Sequence, residues 1–138
     1  MRGAHHIKSW SATQKRVTLS SAEAELGALV KAATEVIGVI QMAEGFARKV
    51  NGEVLVDSSA ALAVTQRKGC GKLRHVHIGQ LWVQELAEQD ELRFRKVQGS
   101  DNPADMSTKH LNLAKIEGFM STVGLHVRAG RADLGLQT

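Results

Sequence analysis

Four acidic residues stand where a carboxylate could serve a site rather than the fold. Glu23 and Glu25 open an apolar helical stretch, Asp57 ends the run VLVD, and Asp105 lies in NPADMSTK. Open α/β sheets build their sites at the C-terminal ends of strands, which favours Asp57. Each acid also has a structural interpretation: the helix dipole favours acids in a first turn, and Asp57 could simply cap the helix that follows it.

The two glutamates have different interpretations. If Ser20 is the N-cap of the helix, Glu23 is its third residue, and SSAE spells a capping box. A helical wheel does not separate the two acids, because both lie about 80° from the centre of the apolar stripe. The capping argument leaves Glu25 without a local partner at the margin of the buried face. Glu25 is therefore the candidate site residue, and a solvated first-turn acid is the alternative.

The elements that must position these acids follow an α/β pattern. An extended segment at 5–18 precedes a long helix at about 20–48, whose apolar residues recur at three- and four-residue steps. That predicted core stripe is Leu26, Leu29, Val30, Ala33, Val36, Ile37 and Ile40. The later elements are a strand in NGEVLVD, a helix in SSAALAVTQRK capped near Ser58, a helix at 75–89, a strand at 91–97, a short helix holding Asp105 and a last helix at 111–123. This order predicts an α/β fold with a mixed sheet, although three strands make a small one.

Length and composition indicate the class of protein. A chain of 138 residues makes one ordinary domain, and its formal charge of +4 hints at a polyanionic partner. The single cysteine, Cys70, excludes an intramolecular disulfide and fits a reducing compartment. No continuous apolar run approaches the roughly 18–20 residues that span a bilayer. We therefore expect an intracellular protein, cytoplasmic or nuclear, with no membrane partner.

Three segments together resemble the ribonuclease H domain of copia-type retrotransposon Pol polyproteins. They are WSATQKRVTLSSAEAEL, VDSSAALAV and HVHIGQLWVQELAEQDELRFRKVQGSDNPADMSTKHL, in that order and spacing, and the resemblance covers roughly residues 8–125. It places the family's helix glutamate on Glu25, its strand aspartate on Asp57 and its late aspartate on Asp105. The choice of Glu25 over Glu23 agrees with the capping argument.

The resemblance implies a two-metal nuclease. In this family the acids hold two Mg²⁺ ions, with Mn²⁺ also possible, at the scissile phosphate of the RNA strand in an RNA–DNA hybrid. Mg²⁺ prefers oxygen ligands, and two ions can activate a water and stabilise the leaving oxygen. The implied partners are the hybrid, reverse transcriptase and other Pol segments.

The chain departs from the family at its start. No acidic residue precedes Glu23, so the first metal-binding aspartate of the family has no counterpart here. We therefore expect an incomplete ribonuclease H-like domain over residues 1–127, lacking its first strand and most of the first hairpin, and a flexible tail at 128–138. His5 or His6 could replace the aspartate only for a softer metal such as Mn²⁺, and we do not expect this because they would lie on the wrong strand.

Because of this departure, the sequence does not decide whether the chain hydrolyses RNA. A truncated gene, a decayed element copy or a separate upstream polypeptide would each explain the departure. As written, the chain is expected to have little or no hydrolytic activity, and the alternative function is a non-catalytic nucleic-acid-binding remnant. A helical interaction protein without affinity for polyanions is the third possibility.

A basic stretch supports nucleic-acid binding. No acidic residue occurs from Ser58 to Gln84, and the stretch carries a cluster of cations and histidines. We expect Lys72, Arg74 and His75 to contact backbone phosphates. The alternative is an ordinary solvated charge run.

Three glycines share one side of the long helix. Gly27, Gly38 and Gly45 fall within roughly 20° of one another on the wheel. Each costs the helix ~1 kcal/mol relative to alanine. Close packing of another helix along this side would justify them, and genetic decay would equally explain them.

Overall fold

The described part of the chain contains four α-helices and one parallel pair of strands. A computed structural model describes residues 6–11, 20–69 and 81–127. The elements are α1 (Ser21–Gly45), β1 (Gly52–Val56), α2 (Ser59–Thr65), α3 (Trp82–Glu88), β2 (Leu92–Lys96), two short 3-10 helices (Gly99–Asp101 and Pro103–Ser107) and α4 (Leu113–Thr122). The chain divides into two units, the sheet unit (Thr13–Ser100) and the terminal unit (Met1–Ala12 with Asp101–Thr138).

Helix α1 forms where the apolar stripe and a serine cap predict it. The Ser20 hydroxyl accepts a hydrogen bond from the Glu23 amide at 3.2 Å, as an N-cap should. Leu26, Leu29 and Ala33 are buried, and the other stripe residues are partly buried against the same core. The helix ends earlier than expected because the backbone turns left-handed at Ala47, with φ of 54°.

The two strands run parallel and in register. Gly52 pairs with Leu92 and Val56 with Lys96, and a further hydrogen bond of 2.9 Å joins the Val97 amide to the Val56 carbonyl. Burial alternates along β1, so that Val54 and Val56 face the core. Because parallel strands need a crossover, α2 and α3 lie between them in the chain.

One core holds the sheet unit together. The apolar face of α1 packs against β1 and α2, while α2 and α3 pack against β2. Leu26, Ala61 and Val83 are fully buried, and Leu92 is 1% exposed. The parallel pair with its surrounding helices is compatible with the predicted α/β class, whereas the ribonuclease H-like fold itself stays a prediction.

Several predicted features differ from the structure or lie outside it. Residues 6–11 form no strand, and the rest of the predicted extended segment lies outside the described residues. The third helix is α3 from Trp82, since residues 75–80 of the predicted helix also lie outside them, as does the tail from Arg128. The prediction of a packed helix beside the three glycines is wrong for two of them within the described residues: a Cβ on Gly38 or Gly45 would meet no described atom within 4 Å.

By length and composition alone, α1 could cross a membrane. An 18-residue window of this helix has a mean hydropathy of 1.4, although Lys31 and Glu35 interrupt its apolar sequence. The same test is passed by core helices of globular units, so it is weak evidence. In this chain 17% of the window is buried, and the buried residues of α1 are Leu26, Leu29 and Ala33, on the side that packs against β1 and α2. The absence of a membrane partner therefore stays a prediction.

An ion pair crosses the two strands on their exposed side. Arg95 donates two hydrogen bonds of 3.0 Å to the Glu53 carboxylate, one to each oxygen. The Arg95 hydrogen bond lowers the pKa of Glu53 below its ordinary value, against a smaller opposing effect of burial. Both side chains are well exposed, at 65% and 43%, so the pair contributes little to stability.

Glu53→Gln is expected to lower the free energy of unfolding by less than about 1 kcal/mol at pH 7. Because the folded-state pKa of Glu53 is lowered, its contribution is present above the unfolded-state pKa. It is lost as the pH falls through the folded-state pKa, below the ordinary glutamate value of about 4.3. Urea unfolding of both proteins between pH 7 and pH 3 checks this. A difference that grows toward acid pH would contradict it.

Candidate functional site

Glu25 is exposed beside a fully buried residue. It lies in the second turn of α1, and its neighbour Leu26 is 0% exposed. The cap uses the Ser20 hydroxyl and the Glu23 amide, so the N-cap half of the predicted capping box is confirmed. Within the described residues the Glu25 carboxylate takes part in no ion pair. An exposed Glu25 fits both the candidate metal ligand and the solvated acid that the sequence leaves open, so its role stays a prediction.

Asp57 stands directly after β1, at the C-terminal edge of the strand pair. The alternative that Asp57 merely caps the next helix is wrong. Ser58 caps α2, since its hydroxyl accepts from the Ala61 amide at 3.2 Å. The Asp57 side chain is half-buried. Its carboxylate is thus placed at the edge where parallel sheets build sites, without serving the helix cap.

Lys96 joins the ends of the two strands at this same edge. Its ammonium donates to the Asp57 carbonyl at 2.5 Å and to the Ser59 hydroxyl at 2.6 Å. Sequence reasoning missed this residue. Within LRFRK it is one of three similar cations, and only the pairing of Val56 with Lys96 distinguishes it.

Asp105 belongs to the terminal unit and is buried. It lies in the 3-10 helix Pro103–Ser107, whose Asn102 cap accepts from the Ala104 amide at 3.1 Å. The side chain of Asp105 is 11% exposed, and the Lys109 ammonium lies 2.9 Å from its Oδ2. The alternative interpretation, that the helix dipole merely favours an acid here, does not require Asp105 to be buried. A cation bound at Asp105 would have to compete with Lys109 for this oxygen.

The three predicted metal ligands are divided between the two units. Glu25 and Asp57 belong to the sheet unit and Asp105 to the terminal unit, so their convergence stays a prediction. Within the described part of the sheet unit, no group of three His, Cys, Asp or Glu side chains could hold a metal ion. Lys72, Arg74 and His75 lie outside the described residues.

Side chains of α3 hold several described residues of the basic stretch in place. Gln84 accepts from the Gly69 amide at 3.0 Å and donates to the carbonyls of Gly69 and Val64 at 3.0 Å and 2.9 Å. Lys68 forms an ion pair of 2.6 Å with Glu88, and that hydrogen bond raises the pKa of Lys68. Gln84 was not predicted either, because a lone glutamine in a helix has no distinguishing pattern.

Comparison with known proteins supplies an independent observation. The retrovirus-related Pol polyprotein from transposon TNT 1-94 of Nicotiana tabacum is 30% identical in an alignment of 122 residues that covers 86% of this chain. The chain is similar to a segment of a retrotransposon Pol polyprotein. It spans 9% of the length of that polyprotein. No family model matches this Pol-like segment, and no solved structure does either.

Proposed function

We propose that this chain is the ribonuclease H-like segment of a copia-type Pol polyprotein and that it binds RNA–DNA hybrids. The observation that carries the proposal is the position of Asp57 at the C-terminal edge of two parallel strands, free of the helix cap that would otherwise explain it. The similarity to a retrotransposon Pol polyprotein supports the same assignment. Glu25, Asp57 and Asp105 are the proposed metal ligands.

The carboxylates of the described residues do not by themselves fit two Mg²⁺ ions. Glu25 and Asp57 are only two proposed ligands within one unit, and Asp105 is already ion-paired with Lys109. No residue of this chain matches the family's first aspartate, since no acid precedes Glu23. Several carboxylates are needed to offset the charge of two such ions. Hydrolysis is therefore not assigned to this chain alone.

Binding of a nucleic acid requires phosphate contacts but not the full set of metal ligands that hydrolysis needs. The formal charge of +4 and the acid-free stretch from Ser58 to Gln84 favour a polyanion, and Lys72, Arg74 and His75 are the proposed phosphate contacts there. Reverse transcriptase and other Pol segments remain proposed partners, in an intracellular setting. A non-catalytic nucleic-acid-binding segment is the second candidate, and the ion pair that Asp105 already forms with Lys109 favours it.

Hybrid binding without cleavage is the expected behaviour of the chain. Fluorescence anisotropy should detect binding to a labelled RNA–DNA hybrid, and the affinity should fall steeply as salt is raised because phosphate contacts release counterions. A denaturing gel after incubation with Mg²⁺ should show an intact RNA strand. Asp57→Asn should retain or slightly improve binding, because it removes a negative charge from the edge of the sheet.

Asp90→Asn provides the matched control, because it removes the same charge from an exposed turn of the sheet unit. Asparagine tolerates the positive φ of this position. Robust cleavage that is lost in Asp57→Asn but kept in Asp90→Asn would show that the chain is a nuclease by itself. Absence of hybrid binding at low salt would refute the proposal as a whole.

A further inference from the structure

Lys96 is held in one place by the ends of both strands. It is the last residue of β2, paired in register with Val56, and its ammonium reaches across to the turn that follows β1. There it donates to the Asp57 carbonyl and the Ser59 hydroxyl, at 2.5 Å and 2.6 Å. Two short hydrogen bonds from one ammonium fix the position of the charge relative to the backbone at Asp57.

The charge of Lys96 is not cancelled by these contacts. Both acceptors are uncharged oxygens, and no ion pair within the described residues involves this ammonium. Three other cations of the sheet unit are each ion-paired with an acid. Arg95 is paired with Glu53, Arg93 with Asp90, and Lys68 with Glu88. Lys96 thus combines anchoring with an unneutralised charge, and its side chain is exposed.

An anchored, exposed and unpaired ammonium is suited to bind an anion. A lysine has three N–H donors, and two are used here, which leaves one for an external acceptor. Immobilising a free lysine side chain costs rotamer entropy. Folding has already met that cost at Lys96, so less of it opposes ligand binding. The Ser59 hydroxyl accepts from Lys96 and keeps its own proton for a second contact.

We infer that Lys96, assisted by Ser59, binds a backbone phosphate of a nucleic acid at the C-terminal edge of β1 and β2. This inference rests on the proposed function and gives it a named contact among the described residues. A phosphodiester offers several acceptor oxygens, so the ammonium and the hydroxyl can share one phosphate. A negatively charged phosphodiester also complements the formal net charge of the chain, +4, better than a neutral ligand would.

Hybrid affinity measured over a range of salt concentrations tests the inference with three variants. Lys96→Met should weaken binding of a labelled RNA–DNA hybrid about fivefold and lower the salt slope by about 0.9, the value for one lost phosphate contact. Lys96→Arg should stay close to the wild type, because it keeps the charge and a donor. Lys68→Met removes the same charge from an ion-paired residue and should change both quantities much less.

Lys96→Met removes two hydrogen bonds from the turn after β1, so its weaker binding could reflect a change of fold. A measurement on the wild-type protein avoids this ambiguity. The NMR signal of the Lys96 ε-methylene should shift when the hybrid is added. Inorganic phosphate at matched ionic strength should shift it far less, because a lone ion lacks the other contacts of the duplex.

The outcomes distinguish a failure of the Lys96 inference from a failure of the proposed function. Equal effects of Lys96→Met and Lys68→Met would show that only net charge matters and would overturn this inference while leaving hybrid binding intact. A shift with inorganic phosphate as large as with hybrid, together with unchanged hybrid affinity in Lys96→Met, would indicate a free-anion site and also overturn it. A wild-type chain that does not bind the hybrid would instead remove the proposed function, and this inference with it.

Discussion

Substitution of Gly52 by valine is expected to lower the free energy of unfolding by about 2–3 kcal/mol, because it overfills a tight contact. Helix α1 approaches β1 so closely here that a Cβ on Gly52 would lie 2.6 Å from Leu92 Cδ1, 2.7 Å from Val36 Cγ1 and 2.9 Å from Ile40 Cδ1. Valine adds two further methyl groups to the same space. The helix and the strand pair must therefore separate, or their side chains must leave their preferred rotamers.

Urea unfolding followed by circular dichroism at 222 nm measures this loss, since α1 supplies much of the helical signal. Gly38→Ala is the matched control, because it adds a methyl group to a helix glycine that has nothing within 4 Å of the added atom. It should raise stability by up to ~1 kcal/mol, the difference in helix propensity. An unchanged midpoint for Gly52→Val would mean that α1 does not lie against β1 as the structure has it.

The sequence predicted the elements of the sheet unit better than it predicted their contacts. Periodicity identified the buried face of α1 and the serine cap, and both are confirmed. The sequence places a strand in NGEVLVD, but it does not show that Gly52, which begins β1, permits the close approach of α1. A local pattern cannot reveal this role, because it depends on which helix crosses the strand.

The candidate site shows the same limit. The position of Asp57 at the end of a strand was predictable because it directly follows an apolar run. The structure shows that the adjacent Ser58, and not Asp57, caps α2. The contacts of Lys96 were not predictable, because they exist only once β1 and β2 pair in parallel with Val56 opposite Lys96. Burial of Asp105 likewise depends on the fold of the terminal unit, since a first-turn acid of a short helix is ordinarily exposed.

Leu26→Ala should cost the sheet unit about 3 kcal/mol, the typical loss when a fully buried leucine is truncated. Leu26 is 0% exposed and belongs to the core formed by α1, β1, α2 and α3. Total stabilities of single domains are on the order of 5–15 kcal/mol, so this one change removes a large share. The first turns of α1 should be affected most, because Leu26 is the first buried residue after the Ser20 cap.

This substitution also tests how Glu25 is presented. Glu25 and Leu26 are adjacent, so burial of the leucine fixes the rotation of α1 and thereby turns the glutamate outward. Urea unfolding should show the loss of stability, and amide hydrogen exchange should show weaker protection in the first turns of α1. Met42→Ala, at a position of the same helix that is 56% exposed, should change stability by less than about 0.5 kcal/mol. Equal small losses at both positions would mean that α1 is not docked on the strands, and the outward placement of Glu25 would then have no structural basis.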